Sequence, residues 1–248
     1  MLASTYTWDI SEYDTVMPWV IETSRIANKD MEITAVSCYP DPNQPISSQR
    51  LQLFVHLITF NLSLEQARAS LDLFAKSVPR RDQTLAIHEF ETTSLAKEFL
   101  HESAAFPERH RYSVDNMWIK SDLPTEKVVD AMREIFTTLP TVQSSAMYFN
   151  MAPEPAISDM ALSLQTEHWL TVTCAWNQPE DDADCQDWLR GRFKNVNEVS
   201  SGLYIGDSDF QVRRAAFLAT ENMEKVETVR ELWDPKGLFC SYLGSDKT

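Results

Sequence analysis

Residues able to do acid–base or metal chemistry are spread thinly along this chain. His88, His101, His110 and His168 stand singly. A helical zinc site needs two histidines one turn apart on one face. His101-Glu102 has no second histidine four residues after the first, so these four read as structural or surface groups. The run EDDADCQD, Glu180 to Asp187, is rich in oxygen ligands, but its order does not match a calcium loop. Acids there complement the positive end of a helix, and the run reads as a solvated helix N-terminus. There is no Gly-x-Ser-x-Gly elbow, and nothing marks a serine, a histidine and an aspartate as a triad. The five glycines, at 191, 202, 206, 237 and 244, are too scattered for a Gly-x-Gly-x-x-Gly turn or a phosphate loop. Both need clustered glycines so that backbone can approach phosphate oxygens, and a self-contained nucleotide site is not expected.

The elements that must position any site alternate between the two periodicities. Residues 14 to 27 read as a helix, and MEITAVSCY from Met31 as a strand before the proline-rich loop PDPNQPISSQ. RLQLFVHLITF, 50 to 60, is a strand. Ser63 with Gln66 forms a capping box that opens the helix SLEQARASLDLFAKS. A strand near Leu85 to Phe90 and a helix from Thr93 to about Glu102 follow, then a strand over 111 to 121 and a helix begun by Pro124. Strands at 145 to 151 and 168 to 176, a helix over about 181 to 194, an irregular stretch and a terminal helix complete the pattern. Pro235 stops that last helix, and Gly237 permits a turn before Leu238 and Phe239 return to apolar surroundings. Several helices are long enough to cover one sheet face, so α+β with a mostly antiparallel sheet fits as well as α/β. No repeat, linker or composition break divides the chain, which predicts a single domain over 1 to 248.

At 248 residues the chain can bury a full core without disulfides or metal. The balance of 22 basic against 37 acidic residues, a formal charge of −15, repels phosphate backbones and anionic bilayers, so neither nucleic acid nor membrane is an expected partner. Cys38, Cys174, Cys185 and Cys240 form no Cys-x-x-Cys pair and read as reduced thiols of a cytoplasmic protein. The N-terminal MLASTYTWDISEYD lacks the basic and apolar regions of a secretory leader, and no apolar run has membrane-spanning length.

Several segments in order resemble one family. RYSVDNMWIKSDLP, then Ser145 entering a strand, then WLTVTCAWNQPEDDADCQDWLR, SSGLYIGDSDF and finally RELWDPKGLF are similar to the C-terminal half of the berberine bridge enzyme-like FAD-linked oxidases, from about Trp8 to Phe239. The resemblance implies an α+β substrate domain, an antiparallel sheet backed by helices on one face, whose open face roofs the flavin ring. The family's flavin domain would precede this half and has no counterpart here, so no cofactor is expected. Where family oxidases carry Tyr-x-Asn-Tyr, this chain has Tyr204-Ile205-Gly206-Asp207, which replaces the flavin-contacting asparagine by Gly206 and the catalytic base by Asp207. Where cannabinoid-forming members carry a glutamate seven residues before a tryptophan, Trp169 precedes Trp176.

Alternation along the strand puts Trp169, Thr171 and Thr173 on one face and Leu170, Val172 and Cys174 on the other. By the resemblance the first set faces the old substrate cavity with Trp118, Phe149 and Tyr204, and with Met117, Met147 and Met151. Such a cavity would bind a hydrophobic polyene or terpenoid-like ligand, and Asp207 or Lys120 would give acid or base help. The reading this favours is a cofactor-independent cyclase of natural-product biosynthesis, of pericyclase, Diels–Alderase or hetero-Diels–Alderase type. A partner subunit that completes a separate flavin-dependent oxidase, or a carrier of a hydrophobic metabolite, is the alternative. An open apolar sheet face also predicts a homodimer.

Overall fold

The structure is a computed structural model that describes residues 1–106, 108–151, 160, 162–164, 166–194, 196–210 and 212–239. Its centre is one sheet of eight strands: β1 (Leu2–Asp9), β2 (Met31–Cys38), β3 (Gln52–Thr59), β4 (Ala86–Thr92), β5 (Arg111–Ile119), β6 (Ser145–Asn150), β7 (His168–Trp176) and β8 (Ser200–Gly202). The order is β4-β1-β3-β2-β6-β7-β5-β8, and every pairing is antiparallel. The helices are α1 (Tyr13–Ile26), α2 (Leu64–Ala75), α3 (Leu95–Ala105), α4 (Thr125–Thr137), α5 (Asp182–Phe193) and α6 (Thr220–Trp233). The expected α+β class with a mostly antiparallel sheet holds.

Local chemistry sets the helix ends. The Ser63 hydroxyl accepts from the Gln66 amide at the start of α2, and Ser94 does the same for Lys97 at the start of α3. The C-terminal stop also forms: Gly237 has φ +61, and the Asp234 carboxylate accepts from the Leu238 and Phe239 amides at 2.6 and 3.0 Å. Leu238 and Phe239 do not return to an apolar environment, however; both are about three-quarters exposed, at 79% and 74%. Cys240 lies outside the described residues.

Burial divides the sheet by strand parity. On one face Trp8, Leu53, Val55, Ile33, Ala35, Tyr148, Leu170, Val172, Cys174 and Met117 are wholly or almost wholly buried. They pack with Val16, Met17 and Val20 of α1, Leu71 of α2, Met132 and Phe136 of α4, and Leu189 and Phe193 of α5. Met117 is therefore core and not cavity lining: it follows Asn116 and precedes Trp118 in β5, so it points the opposite way. His168 is also interior. Its Nδ1 meets the Tyr148 hydroxyl at 2.9 Å, and burial pulls its pKa down to about 4. Desolvation pushes the Cys38, Cys174 and Cys185 thiols up to about 11, 12 and 11, which keeps them protonated.

Two strands escape the periodicity reading. β8 has only three residues, too few to show a pattern. β1 is missed although Leu2, Ser4, Tyr6 and Trp8 alternate with Ala3, Thr5 and Thr7, because its outward positions are small and its inward ones partly polar. It nonetheless lies between β4 and β3 inside the sheet. Trp8→Ala is expected to lower the unfolding free energy by about 3–5 kcal/mol, against about 1 kcal/mol for Ser63→Ala, in urea denaturation. Equal losses would show that β1 contributes no more than a surface cap.

Candidate functional site

The face opposite the core carries one row of side chains in register across all eight strands. It runs His88, Thr5, His56, Thr34, Phe149, Trp169, Trp118 and Gly202. A second row two residues along runs Thr7, Phe54, Val36, Met147, Thr171 and Asn116. The face is thus hydroxyl- and imidazole-bearing at one side and aromatic at the other. The two sides are covered differently.

Over β3, β2 and β6 the covering element is α3. A cavity of about 990 Å³ lies between them, with Val36, Phe54, Ile58, Met147 and Phe149 on its floor and Glu98, His101, Glu102 and Phe106 on its roof. Glu32 and His56 stand at one end; Cys38, Tyr39, Gln143 and Asn177 stand at the other. Lys and Arg are absent from this lining. Burial, with Glu102 and Glu98 nearby, pushes the Glu32 carboxyl up, while burial pulls His56 below its ordinary value. Among the described residues no group of three or more His, Cys, Asp or Glu could hold a metal ion.

Over β7 and β5 the cover is the segment that follows β8. Asn116 fastens it. Its Nδ2 donates to the Tyr204 carbonyl at 3.0 Å, the Asp207 carbonyl at 2.5 Å and the Ser208 hydroxyl at 2.7 Å. Its Oδ1 accepts from the Tyr204 amide at 2.7 Å and from Trp169 Nε1 at 3.2 Å. At Gly202 the chain passes so close to the Ala216 carbonyl that an added Cβ would stand 2.3 Å from that oxygen. Arg213 closes the sheet edge, donating to both Asp115 oxygens at 2.6 and 2.7 Å and to the Asn116 carbonyl at 2.6 Å.

The residues singled out from the sequence fall into three places. Trp118, Phe149, Trp169 and Tyr204 do gather: ring centroids lie 6.0 Å apart for Trp118 and Trp169, 5.2 Å for Phe149 and Trp169, and 6.0 Å for Trp169 and Tyr204. Thr171 joins them and donates to the Asp207 carboxylate, whose pKa burial raises. Of this group only Phe149 also lines the cavity; Trp118 and Thr171 are buried with Thr173, and the Tyr204 ring folds back over Gly206. Met151 follows β6, is exposed, and contributes nothing to the cavity lining. Lys120 stands apart from the Asp207 cluster, its Nζ donating to the Glu198 carbonyl at 2.8 Å. His56, Glu98 and Glu32, which no spacing motif marks, are among the titratable groups that the fold brings to the cavity, with His101, Glu102 and His110.

No protein-family model matches the chain. It is 27% identical over 248 residues to FAD-linked oxidoreductase janO of Penicillium janthinellum, and 25% identical over 246 residues to FAD-linked oxidoreductase nodO of Hypoxylon pulicicidum. Each match covers 98% of this chain but only 53% and 52% of those proteins, so the chain spans about half the length of the curated relatives it matches. Among solved structures it superposes on berberine bridge enzyme from Eschscholzia californica with TM-score 0.63 at 13% identity, covering 98% of this chain and 54% of that one. It superposes on GilR, an oxidoreductase of gilvocarcin biosynthesis in complex with pregilvocarcin, with TM-score 0.70 at 15% identity, over 94% and 54%. The fold is that of half a berberine bridge enzyme-like oxidase. The resemblance read from the sequence therefore holds.

Such oxidases imply FAD, and the residues that line this cavity do not form a cradle for its diphosphate. Glycine is absent from the cavity lining, no lining residue is Lys or Arg, and the lining carries Glu32, Glu98 and Glu102. Carboxylates facing a diphosphate in a partly desolvated space oppose binding.

Two expectations follow from the covered end of this berberine bridge enzyme-like sheet. Asn116→Ala strips the 203–208 segment of its anchors and should cost on the order of 2–4 kcal/mol, with red-shifted tryptophan emission as Trp169 loses its partner. An unchanged spectrum would mean that the segment is held elsewhere. Asp207 has a folded pKa above the unfolded value, so its contribution to stability is full below the unfolded pKa and is lost as pH rises through the folded one. Asp207→Asn removes that loss while keeping an acceptor for Thr171. Its melting temperature relative to wild type should rise between about pH 4 and about pH 7, and a gap that shrinks over that range would contradict the assignment.

Proposed function

We propose that this chain is the substrate-binding portion of an FAD-linked oxidoreductase-type enzyme of natural-product biosynthesis, and that its cavity holds an elongated hydrophobic precursor. The cavity on the open face carries the reading: its floor is mostly apolar, its volume of about 990 Å³ suits a polycyclic or polyene body, and its polar groups stand on the roof and at the ends. In this reading a second portion of polypeptide, on the same chain or a separate one, brings the flavin and its own phosphate site. The match to about half of each FAD-linked relative supports this, as does α6, no residue of which is buried. Val229, Leu232 and Trp233 on α6 are exposed together with Leu238 and Phe239, an apolar surface suited to that portion.

Ring closure without flavin is the second reading, favoured by acid and base groups beside an apolar cavity. Holding the reacting ends of a flexible precursor together lowers the barrier by several kcal/mol, about 7–11 in the best-aligned cases, and a pericyclic or dehydrative cyclisation of Diels–Alderase or hetero-Diels–Alderase type needs little more.

Co-expression separates the two. With the portion of janO to which this chain has no counterpart, the first reading expects a yellow complex with flavin absorbance, while the chain alone gains no thermal stability from FAD. If instead the chain forms a homodimer through the α6 surface, remains colourless with that portion and converts a reactive precursor by itself, the cyclase reading stands in its place.

A further inference from the structure

At the Glu32 end of the cavity, the sheet floor and the α3 roof meet through one pair of side chains. His56 Nε2 lies 3.3 Å from the Glu98 carboxylate, and His56 Nδ1 lies 2.7 Å from the Thr5 hydroxyl. Thr5 is the direct cross-strand partner of His56, so the sheet register fixes this contact. The contact with Glu98 is electrostatic, since His56 Nε2 makes no hydrogen bond, and the hydrogen bond with Thr5 is what fixes the ring. The other Glu98 oxygen accepts from the Thr93 hydroxyl at the start of α3, and His101 Nδ1 stands 4.0 Å from the carboxylate. Glu98 is thereby held by Thr93, with two imidazoles beside it, while lining the cavity.

The geometry points to Glu98 as the group that takes a proton from the ligand held in this cavity, with His56 as the positioning residue that orients it. This rests on the cavity being the ligand site. A neutral His56 serves the role best, because it stands against Glu98 without cancelling its charge. Burial favours that neutral form, Lys97 and His101 of α3 add to it, and Glu98 itself opposes it. Glu32, on the neighbouring strand, holds its proton more tightly than an ordinary glutamate because of burial and the nearby Glu102 and Glu98. The cavity therefore presents two carboxyls in different surroundings, Glu98 beside Thr93 and His56 and Glu32 pushed up by burial, an arrangement suited to separating base from acid. Nothing in the covered aromatic end around Asp207 offers this to a ligand in the cavity, since Asp207 is not among the residues that line it.

The base can be probed without the natural substrate, using nitrobenzisoxazole, an apolar chromogenic compound. A base removes its ring C–H proton, the C–H electron pair becomes part of a nitrile, and the N–O bond breaks to leave a phenolate, so no further reactant is needed. The wild-type chain is expected to accelerate this opening, and Glu98→Gln to lower the rate at least about ten-fold. His56→Gln keeps a polar side chain beside Glu98 and should keep part of the rate while erasing the imidazole inflection from the pH–rate profile, which a merely structural role would not do. Glu65→Gln, an exposed carboxyl of α2 outside the cavity lining, should stay within about two-fold of wild type, and Glu32→Gln tells which cavity carboxyl is the base. Nile red fluorescence, measured on every variant, reports the cavity separately. If Nile red binds and Glu98→Gln reacts at the wild-type rate, or the wild type gives no acceleration, or the loss falls on Glu32→Gln, the assignment of Glu98 is overturned. Turnover that depends on Glu98 with no Nile red binding would leave Glu98 standing and remove the hydrophobic-ligand reading.

Discussion

An eight-stranded antiparallel sheet that buries its apolar side chains against helices on one face leaves a second face that must be satisfied differently. Parity enforces the division strand by strand, since a one-residue slip would turn Leu170, Val172 and Cys174 outward and bring Trp169, Thr171 and Thr173 into the core. The register is consequently fixed by the hydrophobic side, and the composition of the other side is free to serve a ligand. The in-register row from His88 to Gly202 is what that freedom has been used for. Polar groups sit over β1 and β3 and aromatics over β6, β7 and β5.

Those two sides are closed by opposite means. The segment after β8 is locked down by Asn116, whose amide satisfies five partners at once, and by Arg213, which supplies donors to an edge that the short β8 leaves uncovered. Such a polar network is stable because no member is left unpaired. The α3 roof is different. None of its described side chains is buried, and Leu95, Phe99 and Leu100 face outward at about two-thirds exposure, 69%, 68% and 66%. A roof with few buried apolar groups has low local stability and can open without unfolding the sheet. The enclosed space lies under the loosely held cover, and the tightly held cover fills its half of the face.

Much of this is legible in the sequence, and the exceptions have physical causes. Helix starts at Ser63 and Pro124 and the faces of β7 follow from side-chain chemistry within a few residues. Parity in β5 also carries the placement of Met117, since the neighbours of Trp118, which lies on the face opposite the core, must point to the core. The aromatic cluster is foreshadowed at single positions, but its enclosure depends on Asn116, an ordinary strand residue four of whose five contacts come from the segment after β8, distant in sequence. The His56–Glu98 pair is illegible for the same reason. A strand histidine and a helix glutamate share no spacing, and only the folding of α3 over β3 makes them neighbours.

Charge ties these features together. The chain carries a formal charge of −15, and the cavity has no Lys or Arg in its lining to offset Glu32, Glu98 and Glu102. Like charges in a partly desolvated space repel more strongly than in water, and this repulsion, with burial, pushes the Glu32 carboxyl up, while Glu98 accepts from Thr93 and stands beside His56. The acidic lining also makes the space inhospitable to the phosphates of a dinucleotide, so in a flavin-dependent assembly the phosphate-binding groups must come from polypeptide outside this sheet. In the proposed reading an acidic, largely apolar cavity opposes the cofactor's charged end and suits an apolar body, a division of labour in which this half of the fold handles the substrate and its protons.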